Sequence, residues 1–261
     1  FDNPRGRGRP RSGMTVVAVL ANPPRPGLAL PDLVETTPLS AADAADLYAA
    51  VLKDTFRAVE RSGGDLLVNY RPDDLLSEGH VTDTASEAQL RALAGDALDD
   101  VTDARFEPQV GSTFSARAGN TATHLLREEG VDSVAVTRGT APLLTRTVID
   151  SAAMKLRGNQ TVLGPSTRGR TYYAGFTAPV DYEAALEGPE LETLVDRAND
   201  AGHRVEFLPM QVGVETAADL RDLLPVLWGR IETERVVPEH TATFVHEHGL
   251  RVRDGAVVLD G

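Results

Sequence analysis

The chain has no cysteine among its 261 residues, which excludes disulfide bonds, thiolate catalysis and cysteine-ligated zinc. It has no apolar run near the ~20 residues that a membrane-spanning helix needs, and its first residues lack the basic-then-apolar pattern of a secretory signal. Aromatic residues make up only 5% of the chain, so aliphatic side chains must build most of the core. We therefore expect a protein with no membrane partner and enough apolar material for one large domain.

Lysine is almost absent, because Lys53 and Lys155 are the only two and arginine supplies the other positive charges. Acidic residues outnumber basic ones by 39 to 26, which gives a net charge of -13. Such a surface repels nucleic acid, and it repels itself unless salt screens it over a Debye length of about 3 Å at 1 M. The composition predicts a cytoplasmic protein from a salt-accumulating halophile with no nucleic-acid partner. It predicts nothing about the oligomeric state.

Residues 1–13 are polar and rich in arginine, and Met14 follows them. We interpret this stretch as a disordered basic leader or a cloning remnant, with Met14 as the natural start. A nucleic-acid-binding arm is disfavoured because the rest of the chain is so acidic. Residues 14–261 show no internal repeat and no linker, so a single domain is predicted.

Apolar strands alternate with amphipathic helices along this domain. Residues 15–21 (TVVAVLA) predict a buried strand, and Ser40 is a candidate N-cap for a long helix over residues 41–61. Further strands are predicted at 66–69, 105–110, 134–137, 161–163, 172–176 and 205–208, and further helices at 86–97, 122–129, 145–156, 191–201 and 217–227. Asp254-Gly255 predicts a C-terminal hairpin. The alternation predicts an α/β fold with a mostly parallel twisted sheet and helices on both faces.

Four short segments follow one another in a characteristic order. They are residues 21–27 (ANPPRPG), 138–142 (RGTAP), 163–175 (LGPSTRGRTYYAG) and 214–220 (VETAADL). With the predicted helix 41–61, they resemble the nucleotide-diphospho-sugar transferase (GT-A) superfamily. The closest likeness is to its uncharacterised radical-SAM/selenodomain-associated transferase branch, of which this chain looks like a divergent halophilic member. The likeness extends over most of residues 14–224.

The resemblance implies a nucleotide or nucleotide-sugar substrate, transfer of a glycosyl or nucleotidyl group, and Mg²⁺ or Mn²⁺ held by carboxylates against a pyrophosphate. The chain differs from the family at the positions that carry this chemistry. The family's Lys-Thr-Arg cluster after the first turn is replaced by apolar residues, which leaves Arg25 as the nearby cation. Thr140 stands in place of an aspartate, and Glu215 is the remaining acid of an Asp-x-Asp motif. The metal site is therefore degenerate.

The matched positions supply the candidate site residues. The resemblance assigns Arg25, Gly27, Thr140, Gly169 and Tyr172 to substrate binding, Arg138 and Arg168 to catalysis, and Glu215 to the metal. Arginine binds phosphate or carboxylate through two parallel hydrogen bonds, so Arg138, Arg168 and Arg170 would suit a metal-poor anion site. The alternative is that an arginine-rich protein simply uses arginine in its loops.

Several of these residues also have a structural interpretation. Thr216 and Asp219 have the spacing of an N-cap and an acidic first turn, which favours a capping role for Asp219 over metal binding. Gly169 fits a turn, and one of the adjacent Tyr172 and Tyr173 is expected to pack in the core.

The C-terminal region carries Glu239-His240 and His246-Glu247-His248, whose side chains are zinc and nickel ligands. On a helix, His246 and His248 would lie about 200° apart and would not share a face. A solvated helix surface is therefore favoured over a metal site.

Two functions follow from the sequence. The first is a nucleotide-sugar-dependent glycosyltransferase or nucleotidyltransferase with a degenerate metal site. The second is a catalytically inactive homologue that acts as a nucleotide-binding, anion-binding or interaction module, as the missing aspartates suggest. Convergence of Arg25, Arg138, Arg168 and Glu215 on one cleft would favour the first.

Overall fold

The computed structural model describes residues 14–260. The leader predicted for residues 1–13 lies outside the described residues, and the single domain predicted for 14–261 stays a prediction. The strands are β1 (Thr15–Ala21), β2 (Asp65–Tyr70), β3 (Arg105–Pro108), β4 (Ser133–Arg138), β5 (Thr161–Pro165), β6 (Thr171–Phe176), β7 (Val205–Phe207), β8 (Leu250–Arg253) and β9 (Ala256–Leu259). The helices are α1 (Pro31–Thr36), α2 (Ala41–Glu60), α3 (Ser86–Gly95), α4 (Phe114–Arg127), α5 (Arg146–Leu156), α6 (Glu190–Asp200), α7 (Ala217–Glu232) and α8 (Glu239–Glu247).

The main sheet has the strand order β3-β2-β1-β4-β6-β5-β7. β1 pairs in parallel with β2 and β4, β2 with β3, and β5 with β7. Only β6 runs antiparallel to its neighbours in this sheet, so the other strands all end at the same edge. β8 and β9 form the predicted hairpin. The predicted α/β architecture is therefore confirmed.

The core lies on both faces of the sheet, because β1 is buried along its whole length. Val17 and Val19 pack with α2, α5, α7 and α8 on one face. Val16 and Ala18 pack with α4 and α6 on the other face. A short, β-branched strand between two helical layers is what the predicted parallel sheet requires.

Most predicted element boundaries hold within a few residues. Ser40 caps α2 in a complete capping box with Asp43, as its position predicts. The predicted helix start at residue 122 is wrong, because α4 begins at Phe114, with Thr113 as its N-cap. Glycine is a weak helix former, so Gly119 by itself does not favour a helix here. The fold explains this glycine, because a Cβ at residue 119 would lie 2.5 Å from the Tyr182 side chain.

Two further differences concern α1 and α7. The six-residue helix α1 was not predicted. The residue before it, Leu30, has a left-handed backbone, and the helix begins with Pro31. α7 continues five residues beyond the predicted end and contains Pro225. Its apolar face packs against the sheet through Leu220, Leu224 and Leu227, and tertiary packing of this kind overrides a local helix breaker. None of the helices between residues 14 and 260 has the length and hydrophobicity to cross a lipid bilayer.

Candidate functional site

Three loops meet at the edge where the parallel strands end. The loop after β4, the turn between β5 and β6, and the segment before α7 are joined by hydrogen bonds. The Val214 amide donates to the Thr140 carbonyl oxygen at 3.1 Å, and the Ser166 hydroxyl donates to the Gln211 carbonyl oxygen at 2.9 Å. In open α/β sheets this edge is the usual position of ligands.

An arginine–carboxylate cluster occupies this edge. Its members are Arg138, Arg170, Glu190, Glu215 and Asp219. Glu215 accepts from Arg138 Nη1 at 3.3 Å and from the Thr140 hydroxyl at 2.8 Å, and it also accepts from Arg170 Nη1. Two predicted site residues, Arg138 and Thr140, are thus brought to the predicted metal ligand.

Arg170 joins the cluster to the start of α7. Its guanidinium donates to Asp219, whose side chain is 1% exposed, and the Thr167 hydroxyl donates to the same carboxylate oxygen at 2.7 Å. Burial opposes ionisation of Asp219, but the hydrogen bonds and charge of Arg170 and the hydrogen bond of Thr167 outweigh it and hold its pKa below the ordinary value. Asp219 also forms a capping box with Thr216, so its predicted capping role is confirmed.

Arg138 joins the cluster to the start of α6. It forms an ion pair with Glu190, which is buried and accepts from the Thr171 amide at 2.9 Å. Burial raises the pKa of Glu190, although the charge of Arg138 partly opposes this effect. The Arg138 guanidinium carbon also lies 4.6 Å from the centre of the Phe114 ring, within cation–π distance.

A second arginine, Arg117, also lies near Phe114, with 5.7 Å between its guanidinium carbon and the ring centre. Arg117 is buried, and its Nε has no hydrogen-bond partner among residues 14–260. Burial and the charge of Arg71 both lower the pKa of Arg117. Such a residue is destabilised in the free protein and gains from an added anion. Arg117 could not be recognised as a site residue from the sequence, because only the fold brings α4 next to the end of β4.

The remaining predicted site residues lie in different surroundings. Arg25 is 3% exposed, and its guanidinium donates to Gln89, to Asp73 at 2.8 Å and to the carbonyl oxygens of His80 and Thr84. It ties the loop after β1 to the segment before α3 and is not part of the cluster. Gly27, with a φ of 78°, sits on the same loop beside His80.

The two arginines of the β5–β6 turn, Arg168 and Arg170, have different surroundings. Arg168 has a left-handed backbone, with φ 62°, and lies exposed at the tip of the turn, followed by the exposed Gly169 at φ 72°. Arg170, two residues further on, points into the cluster. The Tyr172 ring packs against Gly164, and its hydroxyl donates to the Pro209 carbonyl oxygen at 3.0 Å. Tyr172 and Tyr173 are both buried, whereas only one was expected in the core.

The cavity inside the cluster is small. Arg138, Thr140, Arg170, Tyr172 and Glu215 line it, and its volume of about 10 Å³ holds about one water molecule. A ligand larger than a water molecule would therefore bind over the cluster, or the loops would open to admit it.

The donor set of the cluster fits a divalent metal poorly. Mg²⁺ and Mn²⁺ prefer carboxylate oxygens, and three carboxyl groups are present. Each of them, however, already accepts a hydrogen bond from Arg138 or Arg170. A metal would have to displace a guanidinium to bind any of these three carboxyl groups.

One other group has metal-ligand chemistry within residues 14–260. Glu107, His124 and Glu129 bring three ligand atoms within 4.8 Å of one another, but Arg105 forms ion pairs with both glutamates. The C-terminal histidines belong to no such group in this range.

His246 and His248 lie on different sides of α8 and its end, as helical geometry predicts. The His246 ring is 5.9 Å from the Trp228 ring, and the His248 ring stacks on Phe244 at 3.9 Å. Both therefore make ring contacts that require no metal.

No family model and no curated protein matches the chain. Among solved structures, the chain is similar to a protein from Desulfovibrio desulfuricans G20 provisionally assigned as a nucleotide-diphospho-sugar transferase. The TM-score is 0.73 at 19% identity, over 92% of this chain and 96% of that one. A cytidylyltransferase from Leptospira borgpetersenii serovar Hardjo-bovis has a TM-score of 0.49 at 9% identity, over 90% of this chain and 94% of that one. The first of these likenesses shows that this chain has the fold of the nucleotide-diphospho-sugar transferases.

Proposed function

We propose that the protein binds a nucleotide or nucleotide sugar at the edge where the parallel strands end and transfers a nucleotidyl or glycosyl group from it. The observation that carries this proposal is the arginine–carboxylate cluster at this edge of a nucleotide-diphospho-sugar transferase fold. The transferase activity rests on analogy with that fold. The net charge of -13 supports a salt-rich cytoplasm as its setting.

In this proposal, arginines neutralise the phosphate charge. Arg138 and Arg117 both lie near Phe114, and Arg117 has no carboxylate partner among residues 14–260 that a phosphate would need to displace. Preorganised charges of this kind stabilise the negative charge that develops on a leaving phosphate. Arg168 and Gly169, exposed on the β5–β6 turn, are positioned to contact a ligand that lies over the cluster.

In this proposal Glu215 does not bind a metal ion, and its role is to orient hydrogen-bond donors. It holds Arg138, Thr140 and Arg170 in one arrangement through its two oxygens. Arg25 is left out of the proposed site, since its donors are engaged inside the protein. Gly27 contributes the turn that shapes the loop after β1.

One observation favours a second function, a nucleotide-binding homologue without catalysis. The cluster largely neutralises itself, and its cavity of about 10 Å³ leaves no room for a reacting group between Arg138 and Glu215. This candidate predicts ligand binding without any product.

The test combines thermal unfolding with a product assay. Nucleoside di- and triphosphates and nucleotide sugars are added at about 0.15 M and about 1 M KCl, with and without Mg²⁺ or Mn²⁺. A ligand at about 100 times its Kd adds about 2.7 kcal/mol to the free energy of unfolding. The product assay includes a mixture of sugars and sugar phosphates as hydroxyl acceptors, with water as the default acceptor. A base-selective shift with release of diphosphate or nucleoside diphosphate supports the transferase, and a shift without release to any of these acceptors supports the second function.

Arg117→Met gives this test its sharpest control. Arg117 has no carboxylate partner among residues 14–260, and its one hydrogen bond, to the Ser112 carbonyl oxygen, is long at 3.4 Å. Removing this buried cation should therefore leave the ligand-free protein as stable as before or more stable, because the cost of burial disappears. The nucleotide-induced shift should nevertheless be lost. The exposed Arg204→Gln variant, with the same change in charge, should keep the shift. If no ligand shifts the wild type, or if Arg117→Met keeps the full shift, the proposed site is wrong.

A further inference from the structure

A groove lies between α2, the start of α5 and the α7–α8 connection. Its volume is about 410 Å³, within the range of about 300–1,000 Å³ that is usual for small-molecule sites. It shares no lining residue with the arginine–carboxylate cluster. An explanation of this groove is therefore independent of the proposed transferase site.

The groove concentrates positive charge in a strongly acidic protein. Arg57, Arg61, Arg146 and Arg230 line it, and Asp54 and Glu239 are the acids among its lining residues. Asp54 is engaged elsewhere, because it accepts from the His240 and Thr241 amides and from the Thr241 hydroxyl. The groove lining therefore has more basic than acidic residues, opposite to the chain as a whole with its net charge of -13.

One of the arginines has unused donor capacity. Arg57 Nη1 pairs with Glu239 at 2.7 Å, but Arg57 Nε is buried and has no hydrogen-bond partner among residues 14–260. The Glu239 side chain is 69% exposed, so this ion pair is easily opened. An incoming oxyanion could therefore replace Glu239 on Arg57.

The start of α5 adds backbone donors to the same groove. Thr145, Arg146 and Thr147 line it and are the N-cap and the first two residues of this helix. The first amides of a helix have no acceptor within the helix, and the Thr145 side chain does not cap them. Together with the positive end of the helix dipole, they favour a bound anion.

The other surface of the groove is apolar. Pro142, Leu143, Val236, Val237 and Pro238 line it, and Val236 is 83% exposed. A fully hydrated inorganic ion would leave this surface in water, whereas the apolar part of an organic anion would cover it.

We propose that this groove binds a small organic anion, in which a phosphate or carboxylate group meets the arginines and α5 while an apolar body covers Val236 and Pro238. The site is separate from the proposed transferase site. Phosphate esters and carboxylates share the required oxyanion, and the experiment separates them.

Isothermal titration calorimetry tests the proposal with phenyl phosphate and benzoate as organic anions. Inorganic phosphate lacks the apolar body, and benzylamine carries the opposite charge on a similar body. We expect at least one organic anion to bind more tightly than inorganic phosphate, and benzylamine not to bind. The stronger of the two organic anions identifies the preferred head group.

Three variants locate the binding. Arg61→Gln combined with Arg230→Gln should raise Kd by about tenfold or more, because two charge-assisted hydrogen bonds are lost. Glu239→Gln should lower Kd about two- to fivefold, because it removes the competing carboxylate. Two substitutions outside the groove, Arg157→Gln with Arg204→Gln, match the charge change and should leave Kd unchanged.

Several outcomes would overturn the proposal. One is no heat of binding for either organic anion at about 10 mM, a concentration that nearly saturates a site with a Kd of about 1 mM. Another is binding that the groove variants and the control variants weaken equally. Inorganic phosphate binding as tightly as both organic anions would refute the apolar part of the site.

Discussion

Replacing Arg170 by glutamine removes the cation that joins Glu215 to Asp219. The Asp219 side chain is 1% exposed and the Arg170 side chain 15% exposed, so this ion pair is largely shielded from water. In the variant, Asp219 keeps hydrogen bonds from Thr167 and from the Thr216 amide but loses its counter-charge. A buried carboxylate without a counter-charge is strongly disfavoured.

We expect a loss of about 3 kcal/mol in the free energy of unfolding near pH 7, at the lower end of the ~3–5 kcal/mol typical of a broken buried ion pair. The loss of stability is expected at this lower end because Asp219 keeps its hydrogen bonds from Thr167 and the Thr216 amide. In the wild type, burial opposes ionisation of Asp219 but Arg170 outweighs it, so the folded-state pKa is lowered. The resulting stability is present above the unfolded pKa of about 3.9 and is lost as the pH falls through the folded pKa. The stability gap between wild type and variant should therefore stay constant from pH 7 to about pH 4 and narrow as the pH falls further.

Urea unfolding followed by the fluorescence of the single tryptophan, Trp228, measures this gap. With an m-value of about 3 kcal/mol/M, the midpoint should fall by about 1 M. Arg168→Gln is the matched control, since it lies two residues away on the exposed tip of the same turn and should change stability by less than about 0.5 kcal/mol. Equal stability of Arg170→Gln and Arg168→Gln, or a gap that does not depend on pH, would refute the reasoning.

Three other substitutions test the packing around the site. Gly164→Ala should lower the free energy of unfolding, measured by thermal unfolding, by about 1–3 kcal/mol, because the new Cβ would lie 2.6 Å from the Tyr172 ring. The control Gly95→Ala should be neutral or stabilising, because its Cβ would meet no atom within 4 Å. Tyr48→Phe should cost about 1–2 kcal/mol, because the Asn22 amide loses its acceptor; an unchanged melting temperature would contradict this hydrogen bond. Asp54→Ala should cost about 2–4 kcal/mol by freeing the start of α8 from α2, and hydrogen exchange should rise first in α8.

Much of the fold could be predicted because its signals are local. The buried strand β1, the capping box at Ser40 and the Asp254-Gly255 hairpin each depend on residues that are close in sequence. The start of α4 could not be predicted in this way, because Gly119 is explained only by its contact with Tyr182 on another segment.

The candidate site could be predicted only in part. Arg138, Thr140 and Glu215 meet as the order of the four segments suggests. Arg25 lies on the expected loop, but its guanidinium turns inward to Asp73, which the sequence of that loop does not indicate. Arg117 lies 21 residues before Arg138 and was found only through their shared contact with Phe114.

The sequence by itself determined the α/β layering, the strand–helix order and the acidic surface, because hydrophobic periodicity, capping residues and charge act over a few neighbouring residues. Only the tertiary structure decided which arginines meet carboxylates. Arg170 and Glu215 are 45 residues apart in sequence, and of the two arginines in this turn Arg170 faces the cluster while Arg168, with its left-handed backbone, is exposed. The groove lined by Arg57 and Arg230 has the same origin, since it exists only where α2, α5 and the α7–α8 connection pack together.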